Sequence, residues 1–535
     1  MSRLSLSMLY RDHMMLQREK PLTVTGLAEN AGTVTLLLYQ DPAKATPEAT
    51  HAFPISVTGD VHDGHFSCLL PPLPAARGII LECYIDKEKE PAYIIRDINI
   101  GDIWMACGQS NMEYFLRYDA DWNYTKAEPV NKQIRMFNVP RISFSGQEKP
   151  NIGCGFWFEE KDEAWQYFSA PGHAFASFIQ PEIDVPVGII GCNWGGTPAC
   201  AWMKPSYYEN EPLAIFNREY EQAVALFDPE ELRRQSMEAI AFENSYRHEL
   251  EWQAVMYGLS EKEQEVFLEE HAGDPVLPMG PWHHYRPGGL YETMVRPLEG
   301  FGVRGILWYQ GESDTGHPEI YDQTMQALVR CFRDTFRDSS LPFLFVQLAP
   351  FGHWLECGND GYAALRAAQE KAASIIDNAW MASIPDLGQY EDIHPKFKKE
   401  VGRRLALLAL GHVYGRDILC DPPACRKATL VDPGVPGCMT VRLDFIHAGE
   451  GLLVPANRNP AEGLNLLRDG KPLRIRKVRF DEVSIFVTAE DGTLHVSDGH
   501  PALLQVTCGW GDYAPVYILN SEGLCVMPFC ITVTA

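Results

Sequence analysis

Between about residue 96 and residue 415 the chain alternates apolar runs with helix-like stretches, and this alternation limits it to a small group of folds. The runs lie at 103–107, 187–192, 305–309, 343–348 and 380–384, while segments such as 320–336 and 362–376 carry a helical period between them. Runs that are apolar on both faces belong to strands buried on both sides, and such strands form parallel sheets covered by helices on two sides. Ligands of those sheets bind beyond the carboxyl ends of the strands. Chemistry is therefore to be sought in the residues that follow each run.

The flanks read differently. From residue 21 to about 95, and again from about 421 to 535, short β-rich runs alternate with turn residues and no helical period is present. This predicts three parts: an N-terminal β-sandwich accessory domain at 1–95, an α/β domain at 96–415 and a C-terminal β-sandwich at 421–535. A length of 535 residues fits that count. Within the middle part, residues 205–281 form an acidic, helix-favouring insert with no motif, which reads as a solvated excursion able to wall one side of a cleft.

Composition narrows the partners. A formal net charge of −25 opposes binding to nucleic acid or to anionic lipid. Arg3, Arg11, Asp12, His13 and Arg18 interrupt any leader-like apolar region, and the cysteines are scattered without a Cys-x-x-Cys pair, so a cytoplasmic protein with free thiols is the expectation. No run approaches membrane-spanning length.

After the first run comes Gly108-Gln109-Ser110-Asn111; after the second, Asn193-Trp194-Gly195-Gly196-Thr197; after the third, Gln310-Gly311-Glu312-Ser313-Asp314; beyond the last, Glu391-Asp392-Ile393-His394-Pro395. Together these supply the parts of an acyl-transfer site. A serine needs a base to become nucleophilic, and Ser110 with His394 fits that need. A carboxylate beside the histidine fixes its tautomer, and a glycine amide with a side-chain amide can stabilise the oxyanion; Gly195 and Gln310 are the candidates. No second glycine follows the serine, so Gly108-Gln109-Ser110 is not an α/β-hydrolase elbow.

Four blocks, Gly108-Gln109-Ser110-Asn111-Met112, Trp194-Gly195-Gly196-Thr197-Pro198, Trp308-Tyr309-Gln310-Gly311-Glu312-Ser313-Asp314 and Asp392-Ile393-His394-Pro395, resemble in order those of the sialate O-acetylesterase-like carbohydrate esterases of the SGNH hydrolase superfamily. Met15-Leu16-Gln17-Arg18-Glu19-Lys20-Pro21 and Tyr517-Ile518-Leu519-Asn520-Ser521-Glu522-Gly523-Leu524 extend the resemblance to nearly the whole chain. It implies a flavodoxin-like three-layer α/β/α catalytic domain with flanking β-domains, and metal-independent, cofactor-free hydrolysis of O-acetyl groups on saccharides. Carried over by block, Ser110 is the nucleophile, His394 the general base, and the amides of Ser110 and Gly195 with Gln310 form the oxyanion hole. The local block favours Asp392 as the acid, with Glu391, three before the histidine, as its rival. A Ser-His dyad assisted by a backbone carbonyl is a third arrangement.

Competing readings accompany each residue. Glu312 and Asp314 fit a glycosidase pair, but charged residues in such a loop more often orient neighbours. Ser313 is a rival serine without the strand-end context. His283 and His284 are adjacent rather than spaced as ligands, and Trp194, Trp202 and Trp308 either stack on sugar or pack. The expected substrate is an acetylated plant-type oligosaccharide such as an acetylated xylo-oligosaccharide. The first alternative is O-acetyl sialic acid, whose carboxylate would want a cation such as Arg286 or Arg304. From another class, the alternative is a catalytically silent carbohydrate-binding protein.

Overall fold

The run at 103–107 is the end of a much longer strand, β1 (Tyr93–Gly108), buried at every position from Ile98 onward. The structure, a computed structural model, describes residues 4–43, 52–148, 153–355, 357–358, 360–432, 436–490, 503–511 and 513–534. In the central sheet β1 is joined by β2 (Ile134–Asn138), β3 (Val187–Asn193), β4 (Gly305–Tyr309), β5 (Phe343–Val346) and β6 (Ala379–Ala382). These strands pair in parallel in the order β2-β3-β1-β4-β5-β6. The chain builds one side of β1 first and then crosses to the other, so the strand order reverses at β1. Asn193 of β3 and Tyr309 of β4 are both in register with Gly108. Three loops therefore start from one edge, at the position where open α/β sheets bind ligands.

The helices are α1 (Ala170–Ile183), then α2 (Ile215–Val224), α3 (Pro229–Glu243), α4 (Tyr246–Gly258) and α5 (Glu261–Glu270) of the insert, then α6 (Tyr321–Thr335), α7 (Tyr362–Ile375) and α8 (Lys398–Leu408). Successive β1 side chains point to opposite faces. Ile103, Met105 and Cys107 share a core with Met325, Leu328 and Phe332 of α6 and Leu365 of α7. Trp104 and Ala106 share another with Phe175 and Ile179 of α1 and Val401 and Leu405 of α8. Each buried Val, Leu, Ile, Phe or Met among these contributes about 1.5–3 kcal/mol through burial. Both faces of the sheet are covered, as runs apolar on both faces require.

The N-terminal strands are continuous with this sheet. Met15–Gln17 pairs in parallel with β1 at Asn99 to Gly101, and Ala76–Ile85 runs antiparallel to its first half, giving one sheet of 14 strands among the described residues. The boundary expected at 95/96 falls inside β1, and Leu36, Ile79, Ile98 and Met105 lie in one core. The sequence breaks there because Arg96 is exposed and Asp97 takes φ +57, polar features that interrupt the apolar run without ending the strand. Toward the C-terminus, two four-stranded sheets enclose a core that includes Val441, Leu443 and Val487 from one and Leu466 and Val506 from the other. The fold is thus mixed α/β, a large central sheet with additional β-sheets. The cysteines are free thiols, and among the described residues no helix is long and apolar enough to cross a membrane.

Candidate active site

Ser110 opens a single helical turn, Ser110–Glu113, directly after β1. Gly108 makes the change of direction with φ +140, and a Cβ there would lie 2.1 Å from the carbonyl oxygen of Tyr309. Only glycine allows β1 and β4 to close at that point. Gly195, just past β3, lies against the serine: a Cβ on it would be 3.4 Å from the Ser110 Cβ.

Asn111 ties the serine turn to the histidine loop. Its Nδ2 donates to the carbonyl of Ile393 at 3.0 Å and to Glu312, and its Oδ1 accepts from Lys398 Nζ. The residues next to Ser110 and next to His394 are therefore hydrogen-bonded to one another. Glu312 is buried, and burial pushes its carboxyl up; burial likewise pushes Lys398 down to about 7, against the pull of Glu312, Asp392 and Asp119. Sequence reasoning missed Asn111 and Lys398 as site residues. The signal available was a lysine at an inward position of α8, where an amphipathic helix places apolar residues.

His394 is only 1% exposed. Its ring lies edge-on to Tyr257 and to Trp354, each with centroids 5.3 Å away. Burial holds the imidazole well below its ordinary value, and the charges of Lys398 and Lys396 act in the same direction. A neutral imidazole near neutral pH is what a general base requires.

The acid behind the histidine departs from the triad expectation. Asp392 Oδ1 stands 3.7 Å from His394 Nδ1, outside hydrogen-bonding distance, and Nδ1 has no hydrogen-bond partner. Oδ1 instead accepts the backbone N–H of His394 at 2.8 Å, and Oδ2 pairs with Lys396 at 3.0 Å. Asp392 thus shapes the loop. Glu391 is exposed. Helix α8 begins at Lys398, past Pro395. Asp392→Asn keeps an oxygen for the His394 amide, so kcat is expected to fall no more than about tenfold, against about 10⁴-fold where a carboxylate holds the tautomer directly. Steady-state acetate release checks this; a loss of the larger size would place Asp392 on Nδ1 during turnover.

Two of the expected oxyanion donors are hydrogen-bonded within the protein. The Gly195 amide donates to Glu113 Oε2 at 2.8 Å, and the same carboxylate takes the Tyr257 hydroxyl at 3.0 Å and pairs with Arg141. Both protons of the Gln310 amide are committed, one to the Thr197 carbonyl and one to Asp314, while its Oε1 accepts from Tyr321. Gly195 is beside Ser110, but neither donor is free in this state. Nearby acceptors have taken them, Glu113 outside the motif blocks and Thr197 and Asp314 within them.

A family model described as carbohydrate esterase, sialic acid-specific acetylesterase matches residues 277–410. The sialate O-acetylesterase of Rattus norvegicus is 24% identical over 374 residues, covering 63% of this chain and 61% of that protein. The human sialate O-acetylesterase is 23% identical over 370 residues, covering 63% and 58%. A carbohydrate acetylesterase from Xanthomonas citri superimposes with a TM-score of 0.70 at 25% identity, over 99% of each chain. The chain is similar to the sialate O-acetylesterase-like carbohydrate esterases. It spans about three fifths of the length of the curated relatives it matches.

In this chain the insert does more than wall a cleft. Tyr257 of α4 covers His394, Lys396 Nζ donates to the Tyr257 carbonyl at 3.1 Å, and Trp354 Nε1 donates to Gln264 of α5 at 2.6 Å. One end of the expected solvated excursion is thus buried over the histidine, leaving Ser110 only 5% exposed. The rival residues fall elsewhere. Asp314, pushed up to about 6 by burial, accepts the Ala199 amide at 2.9 Å and orients its loop. Ser313 donates to the Gly196 carbonyl at 2.8 Å. Trp202 and Trp308 pack edge to face in the core, whereas Trp194, His284 and His283 form a stack beside Gly195. Arg286 donates to the Ser143 carbonyl and Arg304 pairs with Glu19.

Proposed function

We propose that the chain is a serine esterase that removes O-acetyl groups from saccharides. The observation that carries this reading is a buried, neutral imidazole, His394, tied through Ile393 and Asn111 to a serine at the strand-order reversal. Ser110 Oγ attacks the acetyl carbonyl as His394 takes its proton. The sugar oxygen then leaves with that proton, giving acetyl-Ser110. Water attacks next, His394 again accepting and returning a proton, and acetate departs. The oxyanion is assigned to the amides of Ser110 and Gly195 with the Gln310 side chain, which requires Glu113 and Asp314 to release the latter two on substrate entry. Tyr257 excludes water from the imidazole between turnovers.

The finer reading is a neutral substrate of the acetylated xylo-oligosaccharide type. Cations around the site already have partners, Arg141 with Glu113, Lys396 with Asp392 and Lys398 with Asn111, and the net charge of −25 disfavours anions. A second reading, O-acetyl sialic acid, is favoured by the names of the curated relatives. Mass spectrometry of acetyl loss from both substrates side by side decides between them. Turnover at least about tenfold faster on the neutral oligosaccharide, a difference of about 1.4 kcal/mol in activation free energy, is expected. The reverse order assigns the enzyme to sialate. Loss of acetyl from neither would leave the silent carbohydrate-binding reading.

A further inference from the structure

Away from Ser110, at the join between the last helix of the central region and the C-terminal sheets, side chains with soft and borderline donor atoms converge. His412 lies on a π-turn, Ala409–Val413, that continues α8, and its ring stacks on Trp380 at 4.6 Å. Cys420 and Asp421 come from the linker that leads into the strand Ala424–Val431. His412 Nε2 is 2.8 Å from Asp421 Oδ1, Cys420 Sγ is 3.9 Å from Asp421 Oδ2, and one donor atom from each of the three residues lies within 4.8 Å of the others. His447, from the turn after the strand Cys438–Ile446, sets Nδ1 3.5 Å from Asp421 Oδ2.

The backbone is arranged to bring these groups together. A Cβ on Gly411 would lie 2.3 Å from Cys420 Sγ, so the thiol reaches His412 only because the preceding residue has no side chain. His447 holds φ +58, an unusual conformation for a residue with a side chain. π-Turns within helices concentrate at functional positions. Ordinary ion pairing would need none of these features.

We propose that His412, Cys420 and Asp421 bind a divalent cation of the zinc class, with water in the fourth position and His447 orienting the Asp421 carboxylate. Tetrahedral zinc with these donors sets ligand atoms about 3.3–3.6 Å apart, and the separations of 2.8 Å from Nε2 to Oδ1 and 3.9 Å from Sγ to Oδ2 each lie within about 0.5 Å of that range. The donor set selects among metals: thiolate and imidazole suit zinc, whereas magnesium and calcium take oxygen alone. On binding, bonds form from the metal to Sγ, Nε2 and a carboxylate oxygen, and the thiol proton passes to water. The cation then staples the end of α8 to the C-terminal sheets, independently of the esterase reading.

The test uses the full chain, stripped with chelator, reloaded with zinc or cobalt and dialysed. Retention of about one zinc per chain is expected, together with a tetrahedral cobalt spectrum carrying a thiolate charge-transfer band. Cys420→Ser and His412→Ala are expected to lose both the metal and the rise in melting temperature that zinc gives the wild type. Asp421→Asn, at a partly exposed position, serves if either variant fails to fold. Failure of the wild type to retain metal overturns the proposal, as does retention unchanged in Cys420→Ser.

Discussion

Ser110→Ala is expected to lower acetate release by about 10⁴-fold or more, because the hydroxyl is the only group removed and it is the one proposed to form the covalent intermediate. Stability should hardly move. Ser110 lies one residue inside the helical turn capped by Gln109, and loss of a single hydroxyl there costs less than about 1 kcal/mol. Circular dichroism melting and acetate release, measured on the same preparation, separate the two effects. Turnover near the wild-type rate in the folded variant would move the nucleophile elsewhere, Ser313 being the first place to look.

Lys398→Met has the larger consequence for stability, at about 3 kcal/mol, since it leaves the Asn111 amide oxygen and the buried Glu312 without their cation. Methionine matches the length of the chain it replaces, so packing is nearly conserved. Lys398→Met with Glu312→Gln should recover at least about 1 kcal/mol, which a denaturant-unfolding double-mutant cycle measures. Activity carries a second signature. Lys398 helps to hold His394 low, so its removal raises the imidazole and the acid limb of kcat/KM moves to higher pH. The wild type also has a sign of its own: with Lys398 near 7 folded and its ordinary value unfolded, the unfolded chain binds more protons above pH 7. Stability contributed by this group therefore rises with pH from about 7, and the methionine variant lacks that rise. An unshifted acid limb, with stability lost, would make Lys398 a purely structural residue.

The parts of this molecule that were legible in its sequence are those in which one physical requirement dominates. Runs such as 305–309 had to be doubly buried strands, and the helical period at 362–376 became α7 (Tyr362–Ile375) because an amphipathic face needs a sheet to cover. Strand β2 was invisible because Arg135 interrupts Ile134-Arg135-Met136-Phe137. That arginine is buried only by virtue of its pairing with Asp97 at 2.6 Å and with the carbonyl of His13, partners far away in the chain. The same cause hides the hydrogen bonds of the site. Nothing near Gly195 announces that Glu113 takes its amide, nor near Gln310 that the Thr197 carbonyl takes one of its protons. Tyr257 lay in an insert without a motif, and its place over His394 follows from the packing of α4 against distant aromatics. Residue types can be read one by one, whereas the partners that redirect them are set by topology.

Strand β1 has a consequence for transplanting this chemistry. Its first half is hydrogen-bonded to Ala76–Ile85 and Met15–Gln17, and its last residue carries the turn that presents Ser110. A chimera that swapped the N-terminal layer for a foreign module at residue 95 would cut the beam on which the proposed nucleophile stands. Whoever grafts this reactive edge onto another scaffold must carry the N-terminal sheet along as part of the machine.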